Sequence, residues 1–302
     1  MKTLSIIKKM ICAAALISTT LSAYAGCNDV IPNINWKGCD KSNQLIQNID
    51  FSNSRLYKTN FRNTIFNNAK FDEADASGSD FSGAVLGNVF HPGTSASFSD
   101  THLSGAKFNF STCEGCIFNG SYTASGGKAA QVIFDYVEYD NVKFFYVIFP
   151  YASFKYANLN AQFQYAILNN VTFSHANITA PDLHGMHGDG VDASQLNNAS
   201  FIDSKINSVI FTNSQLAQAD FTNATLNKVR FLNCNLTNSD FSGFKVLTKN
   251  VLFKGSNLRG AKFTEKWSVL KRKIDYDDKT DFTGAQMGGV TCKAGSIGEC
   301  IL

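Results

Sequence analysis

The segment from residue 180 to residue 192 holds the side chains best suited to bind a metal ion. Two histidines three positions apart stand there among carboxylates: His184, His187, Asp182 and Asp189. Imidazole nitrogens and carboxylate oxygens are ligands that zinc and similar divalent ions bind in proteins. The glycines in the same segment work against a preorganised site. The segment is therefore either a divalent-metal site or a flexible polar loop, and both interpretations stay open.

No pattern in the sequence nominates an enzyme. The chain has no Ser/His/Asp or Cys/His signature and no glycine-rich loop of the kind that binds phosphate. Its acidic residues are spread along the chain rather than paired as acid–base catalysis would require. We therefore predict a protein without catalytic activity and without a cofactor.

Large apolar residues recur at every fifth position through most of the chain. A small residue, such as Ala199 or Ala219, stands two positions before most of them. The longest run is Leu196, Phe201, Ile206, Phe211, Leu216, Phe221, Leu226, Phe231, Leu236 and Phe241. This period matches neither the helix nor the strand, whose periods are about 3.6 and 2. Repetition at a short fixed period indicates a solenoid, in which each unit is buried only by stacking on its neighbours.

The period is explained by a chain that turns a corner every five residues. Four units then complete a coil of about 20 residues, with the large side chain on the axis and the small one in the wall. Backbone groups of each coil pair with the next coil at about 4.8 Å, as neighbouring strands do. The sequence therefore predicts an all-β solenoid around a column of Phe and Leu.

The units resemble the motif of the pentapeptide-repeat family, A-(D/N)-L-x-x. Clear copies occupy residues 157–161, 219–223, 224–228 and 239–243. The resemblance implies a right-handed quadrilateral β-helix, since spacing alone does not determine handedness. The best-known activity in the family is protection of DNA gyrase by DNA mimicry, and a C-terminal element mediates dimers in cytoplasmic members.

A set of tyrosines falls two positions after core residues, where side chains point outward: Tyr136, Tyr146, Tyr151, Tyr156 and Tyr165. Residues about 20 apart should stack vertically, so we expect Tyr136 beside Tyr156. A one-residue slip in the rhythm places Tyr146 beside Tyr165. The exposed rings could bind sugars or a protein partner, or they could simply stabilise the wall by stacking.

Cysteines are expected to cover the two ends of the core. Two local pairs beyond the repeats are predicted to form disulfides: Cys27 with Cys39, and Cys292 with Cys300. Cys113 and Cys116 have the spacing of a redox motif, but they occupy a core and a small-residue position. That placement favours two wall-filling cysteines or a structural bridge, because thiol chemistry needs an accessible thiolate. Cys234 occupies a small inward position and is predicted to be a buried free thiol.

Residues 1–25 have the features of a secretory signal peptide. Lysines precede an apolar stretch, and Ala23-Tyr24-Ala25 offers a small-x-small cleavage site. We expect a secreted or periplasmic protein whose mature chain begins at Gly26. Lipid attachment at Cys27 is the alternative. Removal of the leader's three lysines leaves 24 basic and 24 acidic residues.

The neutral mature charge bears on the choice of partner. A neutral chain gives no reason to expect nucleic-acid binding through phosphates, and such a chain lacks the acidic surface of a DNA mimic. We therefore predict an exported, non-enzymatic scaffold that binds a protein or a surface glycan on its flat faces. Two alternatives are a topoisomerase protector of the DNA-mimic type, which the charge disfavours, and a divalent-metal-binding envelope protein.

Interruptions in the rhythm divide the chain. Loop insertions are expected near 88–96, 120–130, 180–192 and 244–250. Three regions are predicted after the leader. Residues 26–45 form an N-terminal disulfide cap and residues 46–263 form the repeats. Residues 264–302 form a C-terminal region with a helix, the last repeats and a disulfide cap. In the last region, Thr264 is expected to cap a short helix that places Trp267, Leu270, Lys271 and Ile274 on one side. This region is also the candidate for homodimer formation.

Overall fold

The computed structural model describes Cys27 and residues 34–87, 95–124, 131–163, 165–179, 194–247 and 251–302, together with the backbone of 182–184. These residues form an all-β solenoid of about 11 turns with almost no helix, which confirms the predicted fold class. Each of the four predicted loop insertions lies partly outside the described residues. The 180–192 insertion is shorter than expected, because residues 182–184 form a strand of the ladder.

Each five-residue unit forms one side of a four-sided coil. The backbone N–H of Phe51 donates to the carbonyl oxygen of Lys70 at 2.6 Å, and that of Asn53 donates to Asp72 at 3.0 Å. The same pattern repeats from coil to coil, so most backbone groups find partners one coil away. We number the walls by the core residues of one coil: Phe51 on wall 1, Leu56 on wall 2, Phe61 on wall 3 and Phe66 on wall 4. Corner 1/2 joins walls 1 and 2, and the other corners are named likewise.

The strands, numbered along the chain, lie on three of the walls. Wall 4 carries β1 (Leu45–Gln47), β2 (Ile65–Asn67), β3 (Thr112–Glu114), β4 (Glu138–Lys143), β5 (Asn158–Gln162), β6 (Asn177–Thr179), β8 (Lys205–Asn207), β10 (Thr225–Asn227) and β13 (Lys245–Val246). Wall 1 carries β7 (Asp182–His184), β9 (Ile210–Thr212), β11 (Arg230–Leu232), β14 (Val251–Leu252) and β16 (Ile274–Asp275). Wall 3 carries β12 (Asp240–Phe241), β15 (Lys262–Phe263) and β17 (Gln286–Met287), with β18 (Val290–Thr291) antiparallel to β17. On wall 2, neighbouring coils are joined by isolated β-bridges. Between described coils these bridges are parallel as far as Asp281.

The core contains two opposed ladders of phenylalanine. On wall 1, Phe98 stacks on Phe71 with ring centroids 4.6 Å apart and on Phe118 at 4.8 Å. It also meets Phe81 and Phe108 of wall 3 edge-on, each at 5.5 Å. Offset stacks and edge-to-face contacts are the arrangements that aromatic rings prefer. Because Phe and Leu alternate along much of the sequence, phenylalanines occupy walls 1 and 3 while aliphatic residues predominate on walls 2 and 4.

Side chains on the walls accept hydrogen bonds from backbone N–H groups at the corners. Asp40 accepts hydrogen bonds from the hydroxyl of Ser42 at 2.7 Å and from its backbone N–H at 3.0 Å, and these bonds lower the pKa of the Asp40 carboxyl. Asp240 accepts the N–H of Ser242 in the same way at 2.8 Å. A short polar side chain that folds back on the turn explains why Asp or Asn precedes the core residue in the motif.

At the N-terminal end of the described ladder, Asn35 pairs with Arg55. The predicted disulfide between Cys27 and Cys39 is present there. Lys41 occupies a core position, with its ammonium 3.9 Å from the centroid of the Trp36 ring. Loss of water around it lowers the pKa of the Lys41 ammonium. The apolar rhythm did not predict a buried lysine here, because the pattern places an apolar residue at this core position.

The C-terminal end carries the predicted disulfide between Cys292 and Cys300 and one short helix, α1 (Trp267–Leu270). Trp267 is buried and its ring lies 5.0 Å from that of Phe282. The expectation that Thr264 caps the helix is wrong. Lys266 occupies the cap position without a side-chain bond, and the Thr264 hydroxyl oxygen instead accepts the backbone N–H of Gly243 at 2.9 Å.

Phe98→Ala should lower the free energy of unfolding by about 3–5 kcal/mol, because it removes a fully buried ring between two stacked neighbours. Urea unfolding followed by circular dichroism measures this loss. Phe98→Leu is the matched control and should cost less, since it keeps much of the buried volume. A loss below about 1 kcal/mol for Phe98→Ala would contradict the ladder as the main support of the fold.

Cys234 should not react with thiol reagents in the folded protein. Its sulfur is buried and donates to the Phe211 carbonyl oxygen at 3.1 Å, and burial raises the pKa of the thiol to about 12. In a Cys12→Ser background, a disulfide-exchange reagent should detect a single thiol only after unfolding, and none with Cys234→Ala added. Because the folded pKa is raised, stability should fall as the pH rises from 9.0 towards 12. Rapid reaction in the native state would show that the position is not buried.

Candidate binding surfaces

The predicted tyrosine stacking is confirmed. The rings of Tyr136 and Tyr156 lie 4.9 Å apart with planes 5° from parallel, and those of Tyr146 and Tyr165 lie 4.9 Å apart at 8°. All four, with Tyr151, occupy the corner position two residues after the core. The period of the coil therefore brings together residues that are 19 or 20 positions apart in the sequence.

The five tyrosines do not form one wall, as the idea of a single tyrosine surface requires. Tyr136 and Tyr156 follow core residues of wall 3 and lie at corner 3/4. Tyr146 and Tyr165 follow wall 1 and lie at corner 1/2, diagonally across the coil. Tyr151 stands alone between them, at corner 2/3. Each step of five residues moves one corner around the coil, so tyrosines close in sequence point in different directions.

The stacks also limit what the rings can bind. Neighbouring rings cover each other's faces along the axis of the solenoid, so ring edges and phenol hydroxyls point outward. A sugar ring that stacks on an aromatic face would find that face covered inside each stack. Inside each stack the rings therefore offer edges and hydroxyls rather than open faces.

The stack at corner 3/4 is longer than the sequence analysis predicted. Phe110 lies 4.9 Å below Tyr136, and His175 lies 4.7 Å above Tyr156, both nearly parallel. We call these four residues the aromatic ladder: Phe110, Tyr136, Tyr156 and His175. The exposed fractions are 62% for Phe110, 44% for Tyr136 and 48% for Tyr156. Phe110 and His175 occupy the same repeat position as the tyrosines, so a search of that position for any ring would have found them.

The backbone of the aromatic ladder is strained. Its four residues have φ between 57° and 60°, in the left-handed region that glycine and asparagine tolerate and bulky side chains disfavour. At the same corner, other coils use residues suited to this conformation, among them Asn63, Gly83 and Asn223. The rings therefore occupy positions where the fold itself would favour a smaller residue.

The predicted metal ligands are only partly described. Asp182 and His184 lie on β7, where His184 pairs in register with Thr212 of β9. His187 and Asp189 lie outside the described residues. Within the described part of the chain, no group of three or more His, Cys, Asp or Glu side chains could hold a metal ion. The divalent-metal site stays a prediction.

The structure brings together Asp75, His102 and Ser104, which the sequence analysis did not connect. His102 Nε2 lies 2.7 Å from the Ser104 hydroxyl, and Nδ1 lies 3.4 Å from a carboxylate oxygen of Asp75. The Ser104 oxygen also accepts the backbone N–H of Ala124 at 2.6 Å. The group lies on the outside of wall 2, and both the histidine and the aspartate are partly exposed. We interpret it as a polar contact that joins neighbouring coils.

Cys113 and Cys116 form a disulfide inside wall 4. Cys113 occupies the core position below Tyr139, and both sulfur-bearing residues are buried. A buried disulfide in the wall agrees with the structural interpretation of this pair rather than with a redox motif, which needs access to the solvent.

No described helix has the length and apolar character needed to cross a membrane. The short helix α1 exposes Val269 at 43%, and its role in self-association stays a prediction.

Known proteins support the repeat assignment. A family model described as "Pentapeptide repeat region" matches residues 192–263, and a second, "Pentapeptide repeats (8 copies)", matches residues 47–88 and 160–186. The sequence matches no curated protein.

Among solved structures, the chain is similar to QnrB1, a plasmid-mediated fluoroquinolone resistance protein, at 20% identity and a TM-score of 0.28 over 67% of this chain and 89% of that chain. It is also similar to HetL, a protein of Nostoc sp. strain PCC 7120 involved in the regulation of heterocyst differentiation, at 16% identity and a TM-score of 0.24 over 86% and 92% of the two chains. The repeat matches and the four-sided coil together show that the chain belongs to the pentapeptide-repeat family.

Proposed function

We propose that this protein is an exported, non-enzymatic scaffold that binds a macromolecular partner through the aromatic ladder. The observation that carries the proposal is the exposure of four stacked rings on a strained backbone at a single corner. Exposed aromatic clusters are typical of binding surfaces rather than of surfaces that only face water.

Stability alone gives little reason to keep the rings. A left-handed backbone costs a bulky residue about 1–2 kcal/mol. An aromatic stack contributes about 0.5–1.5 kcal/mol, and each of the two central tyrosines makes two stacks. The two effects are of similar size, so asparagine would serve the fold about as well. Binding of a partner accounts for the exposed rings better than a contribution to the stability of the fold does.

A protein partner fits the ladder better than a glycan. The outward groups are ring edges and hydroxyls, together with the imidazole of His175, whose Nδ1 lies 3.9 Å from the carboxylate of Asp203. Aromatic edges that present an apolar body and a polar tip are enriched in protein interfaces. The sugar-binding alternative would need open ring faces, which the stacks cover.

Export is supported by the leader and by cysteine usage. The chain forms three disulfides among its described residues. Such bonds persist in secreted and periplasmic proteins and are rare in the reducing cytosol. A DNA-mimic role would require a continuous acidic surface, and no feature of the described walls favours it over the scaffold.

The double variant Tyr136→Asn, Tyr156→Asn should unfold within about 1 kcal/mol of the wild type, because relief of strain offsets the lost stacks. Urea unfolding measures this difference in stability.

The same double variant should lose its partner. A photo-crosslinking amino acid at position 110, at the end of the ladder, should give an adduct in the compartment that receives the protein, and the double variant should abolish it.

The crosslinker at position 208 is the matched control, since Ser208 is an exposed corner residue with the same backbone conformation at corner 4/1. Identical adducts from both positions would mean that the ladder is not the site. Binding of the purified protein to a neutral glycan array, lost in Tyr156→Asn, would show that the partner is a sugar rather than a protein.

The exported protein should begin at Gly26. Edman or mass-spectrometric sequencing of protein recovered from the periplasm or medium checks this. Ala25→Asp should block cleavage, because signal peptidase needs a small residue there, whereas Lys37→Asp, outside the leader, should leave cleavage unchanged. Recovery of an uncleaved wild-type chain only from the cytoplasm would rule out export.

A further inference from the structure

The described residues of wall 2 are uncharged over six consecutive coils. The outward row of wall 2 there is Tyr122, Ile148, Ile167, Gln195, Gln215 and Asn235. The described residues of this wall and its two corners occupy 119–124, 145–151, 165–170, 194–198, 212–218 and 232–238, and they include no Asp, Glu, Lys or Arg. In a protein with 24 acidic residues, a stretch of this length without charge calls for an explanation.

The other walls carry charges over the same coils. Wall 1 exposes Lys143 and Arg230, and wall 4 exposes Glu138 and Lys205. Wall 3 carries Asp220 in the outward row. The outward position therefore accepts charged residues readily, and their absence from wall 2 does not follow from the geometry of the coil.

The lower half of this uncharged wall is apolar. Tyr122 and Ile148 are each 42% exposed, and Ile167 is half-buried beside them. Tyr146, at 58% exposure, lies on the corner before them and Tyr151 on the corner after them. The upper half is made of amides, such as Asn235, whose Nδ2 donates to Gln215 Oε1 at 3.0 Å. Apolar side chains in a flat, charge-free surface are typical of an interface.

We propose that wall 2 pairs with wall 2 of a second copy of this chain. Around a twofold axis each residue near the axis faces its own copy, so a charged residue would meet a like charge. A wall without charge avoids this repulsion, whereas a surface for a different partner would gain from complementary charges. The two walls also share one rung spacing of about 4.8 Å, so their side-chain rows interdigitate as the faces of packed sheets do.

The size of the wall predicts a weak, reversible dimer. Six rungs at about 4.8 Å span roughly 29 Å, and one five-residue side is at most roughly 16 Å wide. Pairing two such walls buries on the order of 1,000 Å² in total, at the lower end for specific interfaces. An axis near Ile148 and Ile167 places apolar residues against apolar residues.

This arrangement leaves the aromatic ladder free. Corner 3/4 does not border wall 2, so a dimer paired through wall 2 would present two ladders on its outer sides. Two sites on one particle bind a surface that carries many copies of a partner more tightly than one site does. The dimer stands independently of the proposed partner, because it rests on wall 2 alone.

Sedimentation equilibrium of the purified, disulfide-intact protein, at roughly 1 to 100 µM, tests the pairing in the micromolar range expected of a small interface. We expect a monomer–dimer equilibrium, and Ile148→Lys should raise its Kd by more than tenfold. Lysine is compatible with the fold at this position, since the equivalent outward residue on wall 1 of the same coil is Lys143. The control Gln162→Lys places the same charge on wall 1, beside the coil of Ile167, and should leave Kd unchanged.

Two outcomes would overturn the proposal. A monomer throughout the concentration range would mean that wall 2 does not pair with a second copy of the chain. A dimer that resists Ile148→Lys but dissociates with Val269→Lys would assign the contact to α1 instead. Circular dichroism of each variant separates loss of pairing from loss of folding.

Discussion

The stacking of one coil on the next is the constraint on which the rest of this protein depends. Each coil buries its large side chains only against the coils above and below, and its backbone groups find partners only there. In each unit of five residues, the core residue and the small residue before it are therefore committed to packing. The remaining three positions face outward, and every candidate for function lies among them.

Side chains at the corners give the regular coil its specific surfaces. Every coil turns with a residue of positive φ, which asparagine and glycine adopt with little strain. Aromatic residues at such positions place their rings outside the coil, at the rung spacing of the solenoid. Phe110 and Tyr136 stack for this reason, although they lie 26 positions apart in the sequence. The same rule directs Tyr146 to the opposite corner, away from the ladder.

The five-residue rhythm was sufficient to predict the coil and the pairing of Tyr136 with Tyr156, and the local cysteine pairs beyond the repeats predicted the terminal disulfides. These depend on local spacing, which sequence analysis reads directly. It did not predict that the tyrosines point in three directions, because that requires each unit to be assigned to a wall across the irregular segments. Lys41 was missed for a different reason: a Trp36 ring stabilises a charge at a core position, and no periodic pattern signals such an exchange.

By itself the sequence determined the architecture of this protein, because one large and one small apolar residue in every five leave a stacked four-sided coil as the arrangement that buries both. Only the tertiary structure decided which outward residues share a surface. The aromatic ladder and the uncharged wall 2 are each assembled from single residues about one coil apart in sequence. Neither exists until backbone hydrogen bonding sets the register of the coils, since that register determines which side chains become neighbours.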